Sequence, residues 1–419
     1  MRKFIVIINI LLFFCNCTRI HQPNTDEILS VGVQTTIERA KSLANLSFIP
    51  CSDLECNNGY IYKKDVMAIG APYSSVKEIQ TFIGHDVSFY TFLTAVNNFN
   101  SLLYTEKIDY DPYHGTNCKL YYGVVCSSAI MYALGIDIPF NTYLFNVDSD
   151  LFLESKKQSP DAINLCSILL EPGHISMVVG IKKDQQGNII SVDVFEATQM
   201  GTIIHEHSYS SFCEYWENHN IVLYEYKYIE NNTTLYDYIY DNDLYNIFNS
   251  PLSLCPNKGD RSSYSCDDDV IINILDSGYN ILELYQYDKK LYETDINNKN
   301  EVSYSYLSPG EYSVRMKNST SYSTFAYFEV IDTQTNITYD KDKIIIEPKS
   351  NNAIPVFISL NSIPSGGYKK YYPFKETIDA ISIPYPETND NPMYLRIVYR
   401  GKYGRVMYQE IIQNLESSK

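Results

Sequence analysis

The spacing of apolar residues changes once along the chain, and this change restricts the possible fold more than any other feature of the sequence. Over 34–45 and again within 76–97, apolar side chains recur every three or four residues, a period typical of amphipathic helices. From His174 the period becomes two: HISMVVGI, a turn at DQQGN and IISVDVFEAT predict a β-hairpin, which IVLYEYKYI extends. Helices followed by an antiparallel sheet indicate an α+β arrangement for residues 33–230.

The remainder of the chain has the composition of an all-β region. Runs such as VIINIL, ILELYQY, FAYFEVI and YLRIVYR are separated by turn residues, including Pro309–Gly310 and Gly366–Gly367. No long segment of helical period interrupts them, so residues 269–419 are predicted to form a β-sandwich region of one or two units. The intervening residues, 231–268, are rich in Asn, Asp, Ser and Tyr and are predicted to be a linker.

The N-terminus carries a targeting pattern. Two basic residues precede an apolar stretch, Phe4–Phe14, which is too short to span a bilayer and matches the core of a signal peptide. We therefore expect residues 1–17 to be a signal peptide and the protein to be exported to the cell envelope, in the periplasm or on the outer surface. Cys15 or Cys17 stands where a lipoprotein is acylated, although the residues before them fit that motif poorly. Both a lipid-anchored form attached to the membrane and an unanchored form stay open.

The net charge restricts which partners are expected for the protein, and the cysteine content indicates which disulfides it can form. A formal net charge of −17 repels phosphate backbones, so nucleic acid is not an expected partner. Eight of the ten cysteines lie beyond the signal region, and an exported protein can pair some of them. Cys51 with Cys56 and Cys255 with Cys266 are the pairs that would close small local loops.

Metal chemistry is not expected. The sequence contains no Cys-x-x-Cys, and His205 and His207 alternate on one strand without a third ligand nearby in sequence. We therefore predict no metal and no other cofactor. The sequence does not indicate an oligomeric state.

The segment YYGVVCSSAIMYALG (121–135) carries the strongest chemical signal. It places Cys126 where a strand or turn gives way to a helix, with Ser127 in the first turn and a helix stop at Gly135. A thiol at a helix N-terminus lies among unpaired backbone N–H groups and near the positive end of the macrodipole, which favour the nucleophilic thiolate. Two other roles stay open for Cys126, namely apolar packing and a disulfide with Cys118.

Two later residues complete a hydrolase pattern. His174 opens a strand after a Pro-Gly pair, and Glu196 lies on the strand that the following turn brings alongside. A cysteine, then a histidine, then a polar orienting residue is the chain order of a cysteine-hydrolase triad. Cys126, His174 and Glu196 are therefore the candidate catalytic residues, with the carboxylate expected at Nδ1 of the imidazole. Thr198 or Gln199 is the alternative orienting residue, and a structural role for His174 also stays open.

Three residues are candidates for substrate binding. Tyr73 lies in a loop that leads into a helical pattern, and Tyr122 lies four residues before the nucleophile, so either ring could line a cleft. Packing is an equal alternative for both tyrosines. Ser127 contributes a backbone N–H at the helix start, where it can face a developing oxyanion.

At these positions the sequence resembles the NlpC/P60 cysteine peptidases of bacterial cell walls. In that family the nucleophile lies in Asp-Cys-Ser at a helix start, and Cys126 and Ser127 match its second and third positions. Gly173–His174 matches the Gly-His of the base motif, and Glu196 takes the third role. The resemblance, over about residues 60–228, implies a papain-like domain with helices packed on an antiparallel sheet. It also implies cleavage of peptide bonds in peptidoglycan stem peptides.

One position departs from the family pattern. Val125 stands where the family has Asp, a residue that helps to bind the free N-terminal ammonium of a stem peptide. The departure bears on substrate choice and not on the nucleophile. Two alternatives to a peptidoglycan peptidase stay open: an amidase or acyltransferase acting on a non-wall substrate, and a catalytically inert surface protein that uses its β-rich tail for binding or adhesion.

Overall fold

The computed structural model describes most of the chain. The described residues are 29–56, 60–74, 82–99, 101–105, 120–136, 151–232, 252–340, 343–349, 354–363, 366–373, 380–384 and 393–412. Their helices are α1 (Val31–Ala44), α2 (Phe89–Val96), α3 (Leu102–Thr105), α4 (Cys126–Ala133) and α5 (Tyr209–His219). Two short 3-10 turns cover Pro160–Ala162 and Ile229–Asn231.

A six-stranded sheet organises residues 151–226. Its strands are β5 (Phe152–Glu154), β6 (Ile168–Glu171), β7 (His174–Lys183), β8 (Ile189–Thr198), β9 (Gly201–Ser208) and β10 (Val222–Tyr226). They are ordered β5-β10-β6-β7-β8-β9, and every neighbouring pair is antiparallel. Ahead of this sheet lie two short pairs, β1 (Ser47–Phe48) with β4 (Ala68–Ile69) and β2 (Leu54–Glu55) with β3 (Ile61–Tyr62).

Each face of this sheet buries a separate apolar cluster. On one face, alternate side chains such as Ile175 and Phe195 pack with α1 and α4, through residues that include Leu43 and Ile130. On the other face, side chains such as Val194 pack under α5. The strict alternation in β7 and β8 produces this division, because successive strand residues point to opposite faces.

The described residues from 252 onward form four further sheets around two buried clusters. The first two sheets contain β11 (Leu254–Pro256), β12 (Ser262–Ser265), β13 (Val270–Ile274), β14 (Ile281–Gln286), β15 (Lys289–Asp295), β16 (Glu301–Tyr304), β17 (Gly310–Lys317) and β18 (Ala326–Ile331). Their orders are β11-β13-β16 and β12-β18-β17-β14-β15, and one cluster lies between them.

The other two sheets contain β19 (Thr335–Asp340), β20 (Lys343–Pro348), β21 (Ile354–Ile363), β22 (Gly366–Pro373), β23 (Ile381–Pro384), β24 (Met393–Arg400) and β25 (Arg405–Ile412). Their orders are β19-β20-β23 and β22-β21-β24-β25, and the second cluster lies between them.

The tail also contacts the loop and helix that precede the Cys126 segment. The Arg405 guanidinium donates to the Asp86 carboxylate through Nε at 3.0 Å and Nη2 at 2.7 Å, and both side chains are buried. Thr91 of α2 donates its hydroxyl to the Arg261 carbonyl oxygen at 2.8 Å. The last sheet pair therefore packs on the loop before α2, and the β11–β12 segment packs on α2 itself.

The expected fold class, a papain-like α+β domain followed by an all-β sandwich-like region, is wrong. The chain is mostly β, with 44% in strands and 18% in helices, and no papain-like α+β core is evident among the described residues. Within 76–97, where helical spacing was expected, residues 76–81 lie outside the described residues and the described part contains one eight-residue helix, α2. The apolar residues before it, Phe82 and Ile83, instead form isolated bridges around a turn, because short apolar runs do not distinguish helix from extended chain.

Two other expectations meet the structure differently. Part of the expected 231–268 linker contributes strands β11 and β12, which carry buried residues despite their polar composition. Residues 233–251 of that linker lie outside the described residues, as does the signal peptide expected at 1–17 with Cys15 and Cys17.

Candidate active site

The nucleophile candidate begins a helix that an extended segment holds in place. Gly123 and Val124 form parallel bridges to Phe82 and Tyr73, on two different neighbouring segments. A Cβ at Gly123 would lie 2.5 Å from the Ser74 Cβ, so this close approach requires glycine. The chain turns from extended to helical between Val125 and Cys126, as the sequence predicted.

The first turn of α4 is fixed by side chains. The Val125 N–H donates to the Ser128 hydroxyl at 2.9 Å, and that hydroxyl donates back to the Val125 carbonyl at 3.1 Å. His85, which is fully buried, has its Nε2 2.9 Å from the Ser128 carbonyl oxygen. Nothing in the local sequence around His85 indicates this contact with a residue 43 positions along the chain.

His174 is brought to the end of the sheet by the turn between β6 and β7. Gly173 has a φ of +83°, a left-handed conformation that favours glycine, and a Cβ there would meet no atom within 4 Å. The glycine is therefore favoured by the backbone conformation of the turn and not by room for the imidazole. The helix that Cys126 begins packs against β7, the strand that His174 begins, and the Cys126 side chain lies close enough to the imidazole to raise the pKa of His174.

Glu196 orients the imidazole from the neighbouring strand. In the β7–β8 register Ser176 lies opposite Glu196, so His174, two residues earlier, is a diagonal neighbour on the same face. The Glu196 carboxylate Oε2 lies 2.8 Å from the His174 Nε2. The expectation of a contact at Nδ1 is wrong, and Nδ1 is instead the ring nitrogen left for the thiol. The alternative orienting residue, Thr198, donates its hydroxyl to the Gly201 carbonyl in the next turn.

The electrostatics of the pair favour a charged imidazole. Burial acts to lower the pKa of His174, but hydrogen bonds to Cys126 and Glu196 and the charges of both groups outweigh it and raise this pKa from 6.5 to about 10. Burial also acts to raise the pKa of Glu196, and the hydrogen bond and charge of His174 outweigh it and lower this pKa. At neutral pH the site therefore holds an imidazolium and a carboxylate in contact.

The structure separates the three substrate-binding candidates. Ser127 lies in the first turn of α4 beside the nucleophile, with a buried side chain. Tyr73 is half-buried, and its backbone lies beside Val124, two residues before the nucleophile. Tyr122 is only 1% exposed and its ring meets Tyr121 edge-on with centroids 4.9 Å apart, so it packs in the core and not at an exposed surface beside the nucleophile.

The two cysteine pairs considered from loop size do not form, because Cys51, Cys255 and Cys266 carry free thiols. Cys126 is also free, and Cys118, its alternative partner, lies outside the described residues. Among the residues the structure describes, no three His, Cys, Asp or Glu side chains are placed to hold a metal. None of the described helices is long and apolar enough to cross a membrane.

Comparison with known proteins yields structural likeness at a low level only. No protein-family model matches the sequence, and no curated protein matches it. Solved structures that share some likeness include the CD2-binding domain of CD58 (11% identity, 36% of this chain, 96% of that chain, TM-score 0.20). The fibronectin(III)-like modules of Clostridium thermocellum CbhA share 10% identity over 38% of this chain and 92% of that chain, with a TM-score of 0.20. A two-domain fibronectin type-III segment of chicken tenascin shares 10% identity over 39% of this chain and 98% of that chain, with a TM-score of 0.21. Likeness at these TM-scores carries no argument about what this chain binds or catalyses.

Proposed function

We propose that this chain is an exported cysteine hydrolase that cleaves peptide or amide bonds. The observation that carries the proposal is the placement of the Cys126 side chain beside the His174 imidazole, which is hydrogen-bonded to the Glu196 carboxylate. A cysteine nucleophile needs a base within hydrogen-bond reach and a third group that fixes the orientation of that base. These three side chains meet both requirements.

The reactive form of the site is the ion pair of a Cys126 thiolate and the His174 imidazolium, in which the ring holds the proton that the thiol has given up. The thiolate sulfur attacks the carbonyl carbon of the scissile bond, and the carbonyl electron pair moves to oxygen. His174 then gives its Nδ1 proton to the leaving amine as the C–N bond breaks, which leaves a thioester on Cys126. Water attacks the thioester with neutral His174 as the base, and departure of the thiolate with return of the proton to the ring restores the ion pair.

Backbone geometry supplies the oxyanion stabilisation. The first N–H groups of an α-helix have no carbonyl partner within the helix. At the start of α4 these are the groups of Cys126 and Ser127, next to the sulfur that attacks. Donors fixed beside a developing oxyanion contribute about 2.7–4 kcal/mol each to transition-state stabilisation in hydrolases of this type. We therefore assign Ser127 to substrate binding through its backbone N–H.

Stem peptides of peptidoglycan are the proposed substrate. The support is the likeness of Cys126-Ser127 and Gly173–His174 to the NlpC/P60 motifs, together with the signal-peptide pattern that would place the protein in the cell envelope. Val125, the residue immediately before α4, stands where that family has Asp, so no carboxylate at this position is available for a free N-terminal ammonium. We therefore propose cleavage within the stem peptide and not removal of its N-terminal residue.

The proposal is tested with Cys126→Ala and Cys126→Ser proteins on purified muropeptides, with products identified by mass spectrometry. Both variants should lose at least about a thousandfold in turnover, because the nucleophile acts as a unit with its base. Cys213→Ala is the matched control, since Cys213 is a half-buried free thiol on α5. Digestion by Cys126→Ala at the wild-type rate would remove the proposal.

Two other outcomes distinguish chemistry from substrate. If a thiol reagent labels Cys126 while muropeptides stay intact and another acyl amide is cleaved, the hydrolase chemistry stands and the substrate class is wrong. If Cys126 is neither labelled nor needed for any turnover, the chain is not an enzyme of this class, and the binding-protein alternative takes its place.

A further inference from the structure

A second histidine contacts the orienting carboxylate. Glu196 binds His174 through Oε2 at 2.8 Å, and its other oxygen, Oε1, lies 3.3 Å from the Nε2 of His205. One carboxylate therefore lies between two imidazoles, one on each neighbouring strand. The Glu196 side chain is 18% exposed and that of His205 is 45% exposed, so His205 forms the solvent side of this arrangement.

The register of three strands produces this contact. In the β8–β9 pair Ile203 lies opposite Glu196, and His205 follows two residues later on the same face. His205 is thus a diagonal neighbour of Glu196 across one strand boundary, as His174 is across the other. A shift of one residue in β9 would turn His205 to the opposite face.

We infer that His205 is a positioning residue for the triad, an inference that rests on the proposed function. The contact of its Nε2 with Oε1 restrains the rotation of the Glu196 carboxylate, so that Oε2 stays aimed at His174. Without that contact, a carboxylate at the edge of solvent can rotate and bind water with the oxygen that His174 needs. His205 touches neither the thiol nor the scissile bond and acts only through Glu196.

The other histidine on this strand does not take this role. The ring of His207 stacks on Tyr215 with centroids 5.4 Å apart and an interplanar angle of 23°, and it also packs near Phe212. Among the described residues, the ion-pair contacts of Glu196 are with His174 and His205. The charged or titratable groups that act on Glu196 are His174 from β7, His205 and His207 from β9, and Tyr215 from α5.

The test measures the triad without substrate and then with it. Full-length wild type, His205→Ala, His205→Leu and His205→Gln are treated with iodoacetamide between pH 5 and 9, and the rate at Cys126 is followed by mass spectrometry. Loss of the donor should reduce Cys126 alkylation at pH 6 by about three- to tenfold, the range for one hydrogen bond to a charged, partly exposed partner. Glutamine, which keeps an N–H donor, should restore the rate to within about twofold.

Turnover gives the second measurement. With muropeptides, His205→Ala and His205→Leu should lower kcat by a similar factor and leave KM unchanged, because His205 does not contact substrate. His207→Ala is the matched control and should leave the pH profile of alkylation in place. The leucine variant keeps nearly the volume of histidine, so it decides the matter if the alanine variant does not fold.

The outcomes separate this inference from the proposed function. If wild-type Cys126 reacts rapidly at pH 6 and all His205 variants match it, the positioning role is wrong and the triad stands. If His205→Gln is as impaired as His205→Leu, the donor is not the reason and the inference is also wrong. If wild-type Cys126 reacts no faster than Cys213 at any pH, both the proposed function and this inference are removed.

Discussion

Replacing Glu196 with glutamine isolates the contribution of its charge to the His174 imidazolium. The two side chains are 18% and 26% exposed and lie 2.8 Å apart, so their hydrogen bond is partly shielded from water. A hydrogen bond to a charged group contributes about 1.5–3 kcal/mol, and one pKa unit corresponds to about 1.4 kcal/mol. Glu196→Gln should therefore lower the pKa of His174 by about one to two units, from about 10 to between about 8 and 9.

The assay is an NMR titration of the His174 ring Cε1–H resonance, assigned by its loss in His174→Ala. Glu206→Gln is the matched control, because Glu206 lies on the neighbouring strand and pairs with Lys182. This variant should leave the His174 titration unchanged. A wild-type midpoint near 6.5, or a midpoint that Glu196→Gln does not move, would refute the electrostatic account of the site.

The same variant has a defined signature in stability. The pKa of His174 is raised above 6.5, so its contribution to the free energy of unfolding is complete below pH 6.5 and is lost as pH rises through about 10. The pKa of Glu196 is lowered below 4.5, so its contribution is complete above pH 4.5 and is lost as pH falls. Glu196→Gln should therefore destabilise the protein most between pH 4.5 and 6.5, and the difference should shrink toward pH 10.

Two predictions concern the β tail. Arg405→Ala leaves the Asp86 carboxylate buried without its partner and should lower the free energy of unfolding, measured in urea titrations, by about 3–5 kcal/mol. The control Lys402→Ala removes an exposed partner of Glu311 and should change the free energy of unfolding by less than about 1 kcal/mol. Equal losses in the two variants would contradict this reasoning. Burial acts to raise the pKa of Glu283, but hydrogen bonds from surrounding lysine, tyrosine and arginine side chains lower it to about 2. Above pH 4.5, the Tm of Glu283→Gln should therefore lie furthest below the Tm of the wild type, and the two Tm values should converge as pH drops toward 2. A Tm difference that does not depend on pH would contradict this explanation.

Local sequence patterns predicted the parts of the site that local geometry controls. The start of α4 at Cys126 follows from an extended apolar run that meets small helix-starting residues, and the start of β7 at His174 follows a Pro-Gly turn. Glu196 could be placed near His174 because a hairpin fixes which residues of its two strands face each other. Which ring nitrogen the carboxylate would meet depends on side-chain rotamers, and the sequence-based expectation of Nδ1 was wrong.

The features that the sequence did not reveal depend on contacts between distant segments. His85 supports α4 through the Ser128 carbonyl, and His205 reaches Glu196 only because β9 adds to the hairpin in one register. The Arg405–Asp86 pair joins residues 319 positions apart, which no local pattern indicates. The fold class was wrong because the structure is mostly β, and polar strands such as β12 were hidden in an apparent linker.

The central claim is that the thiol of Cys126 and the imidazole of His174 meet in the unmodified protein. A crystal structure at high resolution, grown near neutral pH from full-length protein, measures the distance between the Cys126 Sγ and the His174 Nδ1 directly. We expect these two atoms to lie within hydrogen-bond distance, the Glu196 carboxylate to contact the His174 Nε2, and Cys126 to be unoxidised. A sulfur beyond hydrogen-bond reach of the ring, or one joined to another cysteine, would contradict it.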